Sequence, residues 1–392
     1  MAKRLTCKTL GAACLGLSMV WSAPAAFALA DIIETPARQT DLAPANLLND
    51  AVRTGDRIVA VGERGHIIYS DDDGQTWVQG SVPVSVTLTA VDFGSETHGW
   101  AVGHSGVVLH TEDAGENWSL QLTGIGAAEL AIASKEDQIA ALEKRIEEAP
   151  ESEKSDLEWA LDDLFFTMEN MQSDLDIGPV NPLLGVWFEN DQHGFVVGAY
   201  GMILRTEDGG DTWNDWAPKI ENAQNFHLNS ITRITGGGLV IVGEAGQIHV
   251  SVDNGDTWER RESPYQGSLF GVIGTGEVNE ILAFGLRGNM LFSTDLGKSW
   301  RLVPNSAGAT LNDGSVADDG RITLVGNGGT VLMSSNGADS FREYFRNDRD
   351  GVMSVIPVSG TNLLIVGEGG VKITDARGKN LQKRPDVATT EK

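Results

Sequence analysis

Cysteine is almost missing from this chain: there are two, Cys7 and Cys14, both near the N-terminus. Past Cys14 the sequence therefore offers no disulfide, no thiolate nucleophile and no cysteine-ligated metal. Tyrosine is scarce, at four residues. Cations are few as well: Lys+Arg total 29 against Asp+Glu 55, a net charge of −26. That balance excludes a surface built to neutralise nucleic acid phosphates. Beyond the N-terminal stretch no apolar run nears the roughly 20 residues needed to cross a bilayer. Hydrophobic residues are nevertheless 41% of the 392, enough for a real core, and 47 Gly with ten Trp suggest many short strands joined by tight turns.

The first thirty residues read as a secretory signal. Lys3, Arg4 and Lys8 form a basic start, Leu10 to Trp21 a short apolar stretch, and Ala28-Leu29-Ala30 a small-residue cleavage site. Gly11-Ala12-Ala13-Cys14 is a poor lipoprotein box, lacking Leu at its first position. The expectation is residues 1–30 as a cleaved leader and 31–392 as an exported domain, in the periplasm.

Self-comparison supplies the architecture. Val61-Gly62-Glu63-Arg64-Gly65 leads through an apolar strand into Ser70-Asp71-Asp72-Asp73-Gly74-Gln75-Thr76-Trp77. The frame's first glycine returns at 103, 198, 243, 285, 326 and 367, in steps of 41, 95, 45, 42, 41 and 41. In six copies the aromatic follows the loop glycine by 12 residues, from Gly65/Trp77 to Gly329/Phe341. Each copy reads as four short strands a to d; in the second they are Leu88 to Phe93, Gly99 to Val102, Gly106 to Thr111 and Trp118 to Leu122. Seven such copies predict an all-β, seven-bladed β-propeller of antiparallel blades. The seventh copy stops early, so residues 31–38 are expected to complete it as an outer strand.

The S-x-D-x-G-x-T-W element resembles the Asp box, or bacterial neuraminidase repeat. Its aspartates (Asp72, Asp113, Asp208, Asp253, Asp295) suit turn N–H groups between strands c and d. The run Asp71-Asp72-Asp73-Gly74 opens like a calcium loop, but Val82 stands where a bidentate Glu belongs. No metal or other cofactor is expected.

The one long step exceeds the common 41 by 54 residues, after strand d of the second blade. There glycine gives way to Ala, Glu, Leu and Lys. Leu157, Leu161, Leu164, Met168, Met171 and Leu175 repeat at 4-3-4-3-4, with Ile132, Ile139, Leu142 and Ile146 as a matching stripe. Residues 125–178 thus read as an antiparallel helical hairpin between blades 2 and 3, broken at Pro150, with Ser152 or Ser155 as N-cap. Trp159, Phe165 and Phe166 flank the seam and invite a partner. As a d–a insertion the hairpin shares a face with the b–c loops, which carry Glu63, Arg64, His104, Tyr200, Glu244, Arg287, Asn327 and Glu368. Side chains that differ on a constant frame mark that face as the binding surface.

Neuraminidase resemblance implies three arginines on a substrate carboxylate and a Tyr nucleophile paired with Glu. Only Arg64 and Arg287 stand in the b–c loops, and no HExxH, nucleophile elbow or phosphate loop occurs. The seven histidines lack ligand spacing. The expectation is no catalytic residue and no enzyme; the alternative is a sialidase-like or glycan-binding propeller.

Gly99-Trp100-Ala101-Val102-Gly103-His104-Ser105-Gly106 and Gly194-Phe195-Val196-Val197-Gly198-Ala199-Tyr200-Gly201, each leading into T-E-D-x-G-x-x-W, resemble the photosystem II stability/assembly factor family. The resemblance spans nearly all the chain after the leader except the hairpin. It implies a non-catalytic, exported scaffold whose partner is a protein of an envelope or membrane complex, peripheral to the membrane at most. The family's arginine-rich contact is not carried over: residues 31–257 hold 39 acids and 11 bases, and residues 258–392 hold 16 and 15.

Overall fold

The computed structural model describes residues 32–178 and 181–381. The leader expected at 1–30 lies outside them. Seven antiparallel sheets follow one another along the chain, six with four strands in the order a-b-c-d and the last with three. Strand a of each blade neighbours strand a of the next around the ring, so the a strands wall the central channel. Blade 2 has strands Leu88–Phe93, Gly99–Gly103, Val108–Thr111 and Ser119–Leu122, within a residue or two of the expected limits.

Strand b is the buried heart of each blade: Gly99–Gly103, Gly194–Gly198, Leu239–Gly243 and Ile281–Gly285 are buried at every position. A strand covered on both faces needs a continuous apolar run rather than alternation. The hydrophobic core is divided into seven clusters, one at each blade boundary. Stability is therefore distributed as neighbour-to-neighbour wedges, as repeat architectures require. The glycine closing strand b has a steric cause. A Cβ on Gly103 would stand 2.4 Å from the Thr87 carbonyl oxygen, and on Gly62 2.2 Å from that of Leu47. Those carbonyls accept the N–H of the next residue, His104 and Glu63, at 2.9 and 3.1 Å, tying each b–c loop to the start of its own strand a.

Asp boxes close the c–d turns. Asp72 Oδ1 accepts the N–H of Gln75 and of Thr76 at 2.9 and 2.8 Å, and its Oδ2 accepts the Thr76 hydroxyl at 2.6 Å. Trp118 and Trp213, from the boxes of blades 2 and 3, are buried in the wedges edge-on to Phe93 and Phe188.

Ring closure differs from expectation. Residues 32–38 do not join blade 7. They run beside blade 1, where Ala37 N–H donates to Val82 O at 3.0 Å and Ser85 N–H to Ile32 O at 2.8 Å. Blade 7 instead extends itself: the chain turns at 375–378, Asn380 bridges Thr374, and Leu381 N–H donates to Ile373 O at 2.9 Å. A local hairpin costs little loop entropy, whereas pairing opposite ends of the chain closes a very long one. Blades 7 and 1 are sealed by side chains, with Ile356, Leu364 and Val366 packed on Leu48, Ile58, Ala60 and Ile68. Val371 N–H adds a bond to Pro44 O at 2.8 Å.

The inserted hairpin is present as helix α1 (Gly124–Glu148) and helix α2 (Glu151–Ile177). Thr123 caps α1 by accepting Gly126 N–H. Neither Ser152 nor Ser155 caps α2, which starts at Glu151 directly after Pro150, whose fixed φ suits a helix start. The expected seam faces inward: Leu157, Leu161, Leu164, Met168 and Met171 are half-buried between more exposed neighbours, and Ile139 is buried opposite. Among the described residues no helix is long and apolar enough to cross a membrane.

Candidate functional site: the loop face

Each b–c loop of blades 1 to 5 is one tight turn whose second residue takes a left-handed backbone: Arg64 (φ 58°), Ser105 (58°), Tyr200 (55°), Ala245 (54°) and Arg287 (58°). A side chain there costs on the order of 1 kcal/mol, a strain the frame imposes in each of these five copies. Since the backbone is the same in these five blades, only side chains distinguish their loops.

The expected residues divide into two groups. Three brace the frame: Glu368 accepts Gly351 N–H at 2.8 Å, Asn327 accepts the Asn312 amide at 3.0 Å, and Glu244 stands 3.3 Å from His227 Nδ1. Arg64, His104, Tyr200 and Arg287 are exposed. Among the described residues neither arginine has an ion-pair partner, although most other arginines of the ring do. Arg287 stands at the rim of a polar cleft of about 360 Å³ that Asn289, Leu302 and Asn305 also line. Glu63 is half-buried.

Sequence reasoning missed the channel mouth on this same face. The second residue of strand a is bulged out of register in every blade. In four blades it is polar and donates to the first strand-a carbonyl of the next blade: Asn49 to Leu88 O (2.7 Å), Thr89 to Leu183 O (2.6 Å), Asn229 to Leu269 O (2.8 Å) and Asn312 to Val352 O (2.8 Å). Leu184, Phe270 and Met353 take the other three positions, leaving apolar side chains among the polar ones. The signal was the repeat itself, had strand a been aligned as the Asp box was.

Deeper along strand a, by one residue at Asp50 and Asp313 and by three at Asp92, carboxylates link blades. Asp50 accepts Val91 N–H at 3.0 Å, Asp92 accepts Phe188 N–H at 2.8 Å, and Asp313 accepts Val355 N–H at 3.0 Å. Enclosure by the protein raises the Asp50 and Asp92 carboxyls to about 7, and the charge of Asp313 adds to the effect on Asp50.

The hairpin stands on this face through α1. Ala127 joins the blade 2–3 core, and Gly124 lies so close to the blade 2 loop that a Cβ on Gly106 would come 2.6 Å from its Cα. The Asp215 carboxyl of blade 3 meets Ser134 and Lys135 of α1 and is shifted upward, burial being the main cause. Trp159 and Phe166 on α2 remain 74% and 64% exposed, and Phe165 38%.

Among the described residues no sialidase centre is assembled on the loop face. Arg57, Arg205 and Arg301 are each paired with acids, Asp71, Asp256 and Asp339, in or beside the c–d turns away from the loop face. Tyr69 lies under the Arg57 guanidinium at 4.2 Å. Tyr200 comes nearest to a nucleophile, its ring 5.0 Å from His227. The His227 imidazole, however, faces the backbone N–H of Tyr200 and the Glu244 carboxylate, which braces the loop.

Fold and face together define a seven-bladed propeller that displays varied side chains on one repeated frame, the form of a binding scaffold. The family model of the photosynthesis system II assembly factor YCF48 matches residues 167–383, and the chain belongs to that family. It is 28% identical over 202 residues to the photosystem II assembly lipoprotein Ycf48 of Synechococcus sp. (strain CC9902), covering 50% of this chain and 60% of that protein. To the chloroplastic photosystem II stability/assembly factor HCF136 of Arabidopsis thaliana it is 24% identical over 301 residues, 69% of this chain and 71% of that one. The chain thus spans about 60% of the length of the cyanobacterial relative. Among solved structures it resembles YCF48 bound to D1 peptide (TM-score 0.56, 17% identity, 84% of this chain and 93% of that one). It also resembles YCF48 from Cyanidioschyzon merolae (TM-score 0.56, 15% identity, 87% and 98%). At those identities the likeness concerns the fold.

Proposed function

We propose that this chain is a non-catalytic scaffold that holds a protein of a membrane complex during its assembly or stabilisation, and that it does so with the b–c loop face. The observation that carries the reading is the pairing of a constant loop backbone with exposed, differing side chains, Arg64, His104, Tyr200 and Arg287. Family membership supports it: relatives are named for photosystem II assembly, and one solved relative is bound to a D1 peptide. Two arginines with no ion-pair partner among the described residues, on the same face as the apolar Leu184, Phe270 and Met353, suit an extended segment with apolar and acidic side chains. Work on such a partner takes place outside the cytoplasm, in the periplasm or, in a phototroph, the thylakoid lumen.

The test is co-isolation from detergent-solubilised membranes with a tagged chain. Replacing Arg64, His104, Tyr200 and Arg287 by Ser should abolish recovery of membrane-complex subunits with little change in melting temperature. Asp208→Ala, in a c–d turn, removes the acceptor of Thr212 N–H and hydroxyl (2.9 and 2.6 Å) and should cost about 1–2 kcal/mol while recovery persists. Undiminished recovery with the loop variant would refute the assignment of this face.

A further inference from the structure

The outward face of α2 is covered by neither the propeller nor α1. Trp159 and Phe166 are seven residues apart, two helical turns, and so share that face about 10 Å from each other. Asp162 and Asp163 lie between them, with Asp156 before and Glu169 after, all exposed. Ring closure makes no use of these aromatics, because the hairpin rests on its blades through Gly124, Ala127 and Ser134 of α1. The hairpin also has no counterpart in the other six blades.

Charge discriminates among occupants. Residues 127–175 hold 14 acids and four bases. An anionic lipid surface would be repelled by that excess. A second copy would set the α2 carboxylates against their own kind. A cationic amphipathic helix meets both features: its apolar ridge covers Trp159 and Phe166, and its Lys or Arg side chains reach Asp156, Asp162, Asp163 and Glu169.

We propose that the outward face of α2, centred on Trp159 and Phe166, docks a basic amphipathic helix of the protein partner. The proposal rests on the scaffold reading but uses a different surface, so the two fail separately. The probe is a labelled peptide of about 18 residues, with Leu and Lys at helical spacing, titrated into the full chain and followed by fluorescence anisotropy. A Leu/Glu peptide of the same pattern is the control. Trp159→Ser with Phe166→Ser, which leaves every charge in place, should weaken binding roughly tenfold or more. Asp162→Asn with Asp163→Asn should weaken it and flatten its salt dependence. The fourfold loop-face variant should bind the peptide like the unaltered chain.

Unchanged affinity in the Trp159/Phe166 variant would reduce the binding to general attraction toward an acidic protein and overturn the proposal. So would equal binding of the Leu/Glu peptide. Dimers that dissociate on the same double substitution would assign the face to a second copy instead, and association with anionic vesicles would assign it to lipid.

Discussion

The Asp313 carboxylate of blade 6 accepts the Ser354 hydroxyl of blade 7 at 2.7 Å, and Ser354 is also a partner of Asp50 in blade 1. Two acids from non-adjacent blades thus meet through one hydroxyl at the channel wall, near the boundary where, among the described residues, no shared strand closes the ring. Each ionised carboxylate there is held away from bulk water, and the two repel.

That arrangement fixes a pH dependence. Asp50 and Asp92 are raised to about 7 in the folded chain, against an ordinary 3.8. Between those values the folded state holds a proton that the unfolded state has lost, so stability falls as pH rises from about 4 to about 7. Above about 7 both states are ionised and the slope ends. Replacing Asp50 and Asp92 by Asn should flatten that part of the profile and stabilise the chain above pH 7 by up to a few kcal/mol. Chemical denaturation of both forms at pH 5 and 8 is the measurement. An equal loss of stability in both forms would place the titrating groups elsewhere.

Legibility followed the repeat. The ring, the b–c loops and the Asp boxes were readable because their signals recur at fixed spacing. Even the reason for Gly103 was hidden, however: its backbone is extended, and the cause is a carbonyl from Thr87 that no local pattern announces. Residues used once were harder. Closure of blade 7 was misjudged because a short turn at 375–378 outcompetes a distant strand, and the sequence there carries no box to mark it. Asp50, Asp92 and Asp313 carry no signal in the sequence, since burial at a channel wall depends on how seven sheets converge. The loop residues were found, but bracing by Glu368, Asn327 and Glu244 could not be told from display by Arg64, His104, Tyr200 and Arg287 without the contacts.

Docking of the hairpin should depend on Gly106. Its loop glycine has φ +62°, and the nearest atom to an added Cβ is Gly124 Cα at 2.6 Å. The equivalent Gly288 of blade 5 has φ +75°, but the nearest atoms to its added Cβ would be Asn305 Oδ1 at 3.1 Å and loop backbone at 3.3 Å, with no helix beside it. Gly288→Ala should therefore show backbone strain, about 1 kcal/mol, and a local loop adjustment, while Gly106→Ala adds displacement of α1. Limited proteolysis is the readout: cleavage between 124 and 178 should accelerate in Gly106→Ala and stay unchanged in Gly288→Ala. Equal rates in the two variants would mean that the hairpin is held elsewhere.

The girdle at the channel mouth has gaps that a single substitution should fill. Asn49, Asn229 and Asn312 each span a blade boundary with one amide-to-carbonyl bond of 2.7 to 2.8 Å. Leu184 occupies the same bulged position in blade 3, facing the boundary with blade 4, and makes no such bond. Leu228 of blade 4 opens its strand as Leu269 and Val352 open theirs, so its carbonyl is the expected acceptor. Leu184 is only partly buried, so its loss removes little apolar burial and leaves no sealed cavity. Leu184→Asn should then stabilise the ring by about 0.5–1 kcal/mol, a rise of a few degrees at most in a chain of this size. The reverse change, Asn229→Leu, strands the Leu269 carbonyl and should cost about 1–2 kcal/mol. Thermal unfolding of the two variants measures both effects. A loss of stability in Leu184→Asn would show that the apolar residues at the mouth support the ring, and a gain would show that the ring does not need them there.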